Sequence, residues 1–96
     1  MIGAEGKPAM RWSLDPRIAW QTVGGEAVVL DVVSGKAIGL NPTGSFIWTR
    51  IAEKDESDIA REMAREFGVD LAQAEKDVRA FLQDLEERGI VKRAGG

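Results

Sequence analysis

The chain has 96 residues, a formal net charge of −3, 44% hydrophobic and 30% charged side chains, and no cysteine or histidine. That length gives one domain with a single modest core, burying roughly 60–65% of its unfolded surface. The composition excludes a disulfide framework and a thiolate metal site, and no apolar run approaches the roughly 18–20 residues that cross a bilayer.

The first thirteen residues hold no continuous apolar stretch of the kind a secretory signal needs, so a cytoplasmic protein is expected. Residues 1–16 lack periodicity and read as a flexible arm ending near Pro16. Three short strands follow, over residues 17–23, 26–33 and 36–40. Gly24-Gly25 and Ser34-Gly35 provide the turns between them. Turns this short enforce antiparallel neighbours, so the order is a meander with the first and third strands at its edges. The middle strand, Ala-Val-Val-Leu-Asp-Val-Val, is apolar on both alternating faces. Such a strand is covered on each side or leaves one face for a partner.

The pattern changes at Asn41-Pro42, a helix N-cap followed by a proline suited to the first helical position. Phe46, Ile47 and Ile51 then recur at helical spacing, giving a helix over 42–53. Asp55 can cap a second helix carrying Ile59, Met63 and Phe67, which Gly68 terminates. Asp70 and Gln73 resemble a capping box opening a third helix. Its apolar stripe is Leu71, Ala74, Val78, Phe81, Leu82 and Leu85, and it ends at Gly89. Ile90-Val91 form a short apolar anchor, and residues 92–96 are expected to be a flexible tail. Strands followed by helices argue an α+β fold: a three-stranded antiparallel sheet, then three helices.

Catalysis finds no support. His, Cys and Tyr are absent, and the serines have no visible base. Asp55, Glu56 and Asp58 could suggest a cation site, but capping and the helix dipole account for three acids at a helix start. Residues 55–88 hold eleven acidic and five basic side chains. That balance disfavours a nucleic-acid partner, since phosphate binding relies on Lys and Arg.

The strand over 36–40 is the informative element. It carries one charge and no proline, so it is a poorly guarded edge, either covered internally or used for strand addition. Ala37 and Gly39 share one face and are small, which leaves room for a partner's side chains or for a close-packed helix. The stripe of Val78, Phe81, Leu82 and Leu85 is broad enough that part of it could line a groove, although it also reads as plain core. Asp77 could meet a peptide or simply face water. Four backbone hydrogen bonds at about 0.5–1.5 kcal/mol each and two apolar anchors at about 1.5–3 kcal/mol each would give micromolar affinity after the ordering cost.

The stretches GKAIGLNPTGSFIW, IAREMAREFGVD and EKDVRAFLQDLEERGIV together resemble the PqqD-like family over residues 17–91. The carrying marks are Leu40-Asn41 with Thr43-Gly44, the Ala60/Ala64/Phe67 pattern, and Asp77-Val78 with Phe81-Leu82 and Leu85. One departure is Ala52-Glu53-Lys54-Asp55 where the family often has glycine. The resemblance implies a winged-helix-like RiPP recognition element without catalytic activity or cofactor. Such a domain binds the leader of a ribosomally made precursor peptide as an added strand between the third strand and the third helix. It then presents the leader to a radical SAM enzyme, cyclase or leader peptidase, as in PQQ and lasso-peptide pathways. On this reading the peptide-binding residues are Lys36, Ala37, Ile38, Gly39, Leu40, Asp77, Val78, Phe81, Leu82 and Leu85. The domain is expected to be free-standing, as a monomer or homodimer. The competing readings are a winged-helix DNA-binding or regulatory domain, and an assembly subunit that stabilises an enzyme.

Overall fold

A computed structural model describes residues 11–94. Its elements in chain order are β1 (Arg11–Leu14), β2 (Ile18–Val23), β3 (Glu26–Asp31), β4 (Ala37–Gly39), α1 (Pro42–Trp48), α2 (Glu56–Phe67), α3 (Leu71–Glu87) and β5 (Val91–Ala94). The architecture is the expected α+β meander and three helices, with a second, two-stranded sheet made by β1 and β5.

That second sheet is a correction. Residues 11–14 are a strand rather than part of a loose arm, and residues 91–94 are its antiparallel partner, so residues 92–94 are not part of a loose tail. Residues 1–10 and 95–96 lie outside the described residues. The cause is side-chain burial: Trp12 is 3% exposed within the core, Val91 is buried beside it, and the Arg93 guanidinium lies over the indole at 4.8 Å. A buried tryptophan removes enough apolar surface from water to fix a short strand that has no local signal of its own.

The three-stranded sheet has the order β2-β3-β4, antiparallel throughout. Gly24 and Gly25 have φ of 60° and 85°, the paired positive values of a type I′ turn, which matches the twist of the flanking strands. The strands are shorter than expected at the β3–β4 turn. Asp31 accepts hydrogen bonds there from the N–H groups of Val33 and Ser34, pulling residues 32–35 out of the ladder.

The inner face of the sheet, through Ala27 and Val29, packs on α1, and α2 packs along α3. The core gathers Ile47, Ile51, Ile59, Met63, Val78 and Leu82 from the helices. The outer face has no covering layer among the described residues. It exposes Val23 and Leu30, with Val32 and Val33 on the adjoining turn.

The helix ends show how local chemistry sets boundaries. Asn41 Oδ1 accepts from Gly44 N–H at 2.7 Å, and Asp55 Oδ1 accepts from Asp58 N–H at 2.9 Å, both as expected of N-caps. α1 stops at Trp48 rather than residue 53: Thr49 N–H still reaches Ser45 O, but Arg50 N–H turns to Ile47 O and leaves Phe46 O to side chains. Thr49 Oγ1 donates to Ser45 O and Phe46 O, and an Arg50 guanidinium N–H donates to Phe46 O. Asp70 occupies the N-cap of α3 without a side-chain capping bond, and Gln73 donates instead to Asp77 Oδ1 at 2.9 Å. The capping box is therefore not formed.

Candidate peptide-binding edge and cleft

The register of β3 and β4 fixes what β4 offers. Asp31 N–H donates to Lys36 O and Leu40 N–H donates to Ala27 O, both at 2.9 Å, so residues 36, 38 and 40 face β3 with their backbone groups. In an antiparallel ladder the intervening residues turn theirs away. The N–H and C=O of Ala37 and Gly39 therefore point off the sheet, and no strand pairs with that edge among the described residues.

The far end of β4 is locked by one hydroxyl. Ser45 Oγ accepts from Ala27 N–H at 2.8 Å and donates to Leu40 O at 3.2 Å. The serine is buried, and it inserts into the ladder where β3 and β4 would otherwise close directly. It ties the start of α1 to the sheet and holds the exposed edge in position.

A cleft of about 400 Å³ runs between β4 and the segment that ends α3. Ile18, Val29, Ile38 and Ile90 give it aliphatic walls, and Arg17, Asp31, Ser34, Lys36 and Arg88 its polar rim. Arg17 Nε donates to Asp31 Oδ2 at 2.9 Å, and Arg17 Nη1 lies 3.0 Å from Asp15 Oδ2. The Arg17 hydrogen bond, helped by the turn amides of Ser34 and Val33, holds the Asp31 carboxyl down at about 2. At the opposite end of β4, a Cβ on Gly44 would stand 3.0 Å from Phe81 Cε1, so the absent side chain lets the Phe81 ring sit on the start of α1. Phe81 of α3 thus sits by Asn41 and Gly44 at the start of α1, and Arg88, just past α3, shares the cleft lining with Lys36.

The residues singled out from sequence divide into groups. Lys36 and Ile38 line the cleft. Ala37 and Gly39 form the open edge, with side-chain positions on the outer face, away from α3. Their small size therefore clears the outer surface rather than the cleft. Leu40 is buried at the hinge into α1. Asp77 is half-buried and engaged by Gln73, and Phe81 is half-buried over Gly44. Val78, Leu82 and Leu85 are 1%, 0% and 3% exposed, which makes them core. The helix side of the cleft comes instead from Arg88 and Ile90, just past the helix. Sequence reasoning also missed Arg17 and Asp31. The available signal was a pair of opposite charges at the start of one strand and the end of its hairpin partner.

These features define a small α+β recognition domain with an unpaired sheet edge beside an apolar cleft. The family described as Coenzyme PQQ synthesis protein D (PqqD) matches residues 26–91, and the chain belongs to that family. Two solved structures are similar along nearly their whole length. One is a lasso peptide synthetase B1 complexed with the leader peptide, with 29% identity and a TM-score of 0.80, covering 85% of this chain and 98% of that one. The other is TbiB1 in complex with the TbiA(beta) leader peptide, with 27% identity and a TM-score of 0.75, covering 86% and 95%. No curated protein matches the chain. No helix among the described residues is long and apolar enough to cross a membrane.

Proposed function

We propose that this protein is a RiPP recognition element that binds the leader of a ribosomally synthesised precursor peptide and presents it to a tailoring enzyme. The observation that carries this reading is the β4 edge, whose Ala37 and Gly39 backbone groups face outward next to a cleft with aliphatic walls. Strand addition satisfies those groups, and alternate side chains of the visitor then enter the cleft. The leader peptides held by the two similar structures support the ligand class.

The role is that of a carrier without its own chemistry. The enzyme served is one that acts on the loaded leader, such as a radical SAM enzyme or leader peptidase. The bare apolar outer face of the sheet, contiguous with β4, supports a protein partner of this kind. The recognition unit is taken to include the β1–β5 pair, since Trp12 belongs to the same core as residues 17–91.

The test is a titration of the isotope-labelled protein with leader peptides encoded beside its gene. Amide signals of residues 36–40 are expected to shift together with those of Phe81 and residues 88–90, at micromolar affinity. A set of neighbouring leaders that produces neither shifts at β4 nor calorimetric heat overturns the reading.

A further inference from the structure

The residues lining the cleft are more basic than the molecule as a whole. The chain is net −3, and its helical half is strongly acidic. The cleft lining holds three cations, Arg17, Lys36 and Arg88, and one carboxylate, Asp31. Asp15 and Asp84 pair with Arg17 and Arg88 from beside it, which leaves Lys36 as the cation without an ion pair among the described residues. The lining carboxylate is already used: Asp31 accepts from Arg17 Nε and from the N–H groups of Val33 and Ser34, all within 3.1 Å. It has little left to offer a visiting cation.

Arg17 is held by Asp31 and Asp15, but the other two cations are less committed. Lys36 forms no ion pair among the described residues, and its side chain is on the cleft face of the strand, in step with Ile38. Arg88 leans on Asp84 at 3.2 Å, but both side chains are 55% exposed. Such a pair contributes little and exchanges readily for another carboxylate. At physiological salt the field of remote acids decays over about 8 Å, so the charges lining the cleft decide which residues bind there.

We infer that the peptide taken at β4 is acidic where it passes Lys36 and Arg88, and that Lys36 is a specificity-determining residue selecting an Asp or Glu at that point. This rests on the strand-addition reading and adds a charge requirement to it. The visitor then combines aliphatic or aromatic side chains for the Ile18–Ile38–Ile90 walls with a carboxylate for the β4 entrance. Lys36 uses only its backbone in the sheet, accepting from Asp31 N–H through its carbonyl and donating to Ser34 Oγ, so its side chain can be changed without loosening the hairpin.

The experiment is a selection of random twelve-residue peptides on the intact protein. Recovered binders are then resynthesised with each Asp or Glu changed to Gln or Asn. Binding is measured against the wild type, Lys36→Met and Lys36→Glu, with amide spectra reporting where each peptide sits. The recovered pool is expected to be enriched in acidic residues, and one Glu→Gln or Asp→Asn change should weaken binding about threefold to tenfold at low salt. That loss should vanish in Lys36→Met, and Lys36→Glu should reverse the preference. Peptides that shift β4 signals yet ignore both the carboxylate and Lys36 overturn the charge requirement while leaving strand addition intact. A selection yielding no peptide that shifts β4 signals overturns both.

Discussion

Arg17 Nε donates to Asp31 Oδ2 at 2.9 Å, joining the start of β2 to the end of β3 at the rim of the cleft. The carboxylate also receives the two amides of the β3–β4 turn, so one residue shapes both the turn and the rim. Its carboxyl is lowered from 3.8 to about 2, with the Arg17 hydrogen bond as the largest cause. A carboxyl depressed on folding contributes stability above its unfolded value and loses it as pH falls through the folded one. The expected window is therefore between about pH 4 and pH 2. Carbon-detected titration should place the Asp31 midpoint near 2. Asp31→Asn should melt lower than wild type at neutral pH, with the difference shrinking across that window. A wild-type Asp31 midpoint near 4 would contradict the pairing.

Ser45 tests the lock at the other end of β4. Ser45→Ala leaves Ala27 N–H buried without its acceptor and Leu40 O without its donor. The expected cost is about 1–3 kcal/mol in denaturant unfolding. Amide hydrogen exchange at Ala27 should accelerate more than exchange at Val29, which keeps its ladder partner Ile38.

Trp12 and Trp20 should separate sharply. Trp12 is 3% exposed and anchors β1, so Trp12→Ala should cost about 3–5 kcal/mol. Trp20 is 43% exposed, with its ring edge-on to Trp48 at a centroid distance of 5.9 Å, so its truncation should cost clearly less. Equal losses in chemical denaturation would mean that β1 does not carry Trp12 into the core.

The contrast between the two tryptophans shows which parts of the fold sequence could reveal. The meander, the caps at Asn41 and Asp55, and the stop at Gly68 rest on interactions within a few residues, and each was legible. β1 and β5 are more than seventy residues apart at their pairing and depend on one buried indole, a contact that no local pattern encodes. The open edge was visible as an unguarded strand. The burial of Val78, Leu82 and Leu85 was not legible, because an amphipathic stripe shows which residues are apolar but not which of them face the core.

That burial gives a test of its own. Leu82 is fully buried, so Leu82→Ala should cost about 2–5 kcal/mol, and any weakened peptide binding should track the loss of folded protein. Ile38 lines the cleft and is only half-buried, so Ile38→Ala should cost less stability and weaken binding in protein that remains folded. Melting curves paired with binding isotherms distinguish the two. Selective loss of binding in a fully folded Leu82→Ala variant would return the helix stripe to the groove.

The alternation along β4 provides the most direct test of strand addition. Ala37 N–H points off the sheet, so a proline there removes a donor that the folded protein does not use. Proline is tolerated on an edge strand in that orientation. Ala37→Pro should therefore keep its thermal transition close to wild type while reducing peptide affinity about tenfold or more, through one lost backbone bond and a ring standing where the visitor must lie. Proline one residue later has the opposite geometry. Ile38 N–H faces Val29 within the ladder, so Ile38→Pro should break the sheet itself and lower the melting temperature. If Ala37→Pro binds peptide as well as the wild type, the visitor does not pair with this edge, and the cleft must be approached by some other backbone path.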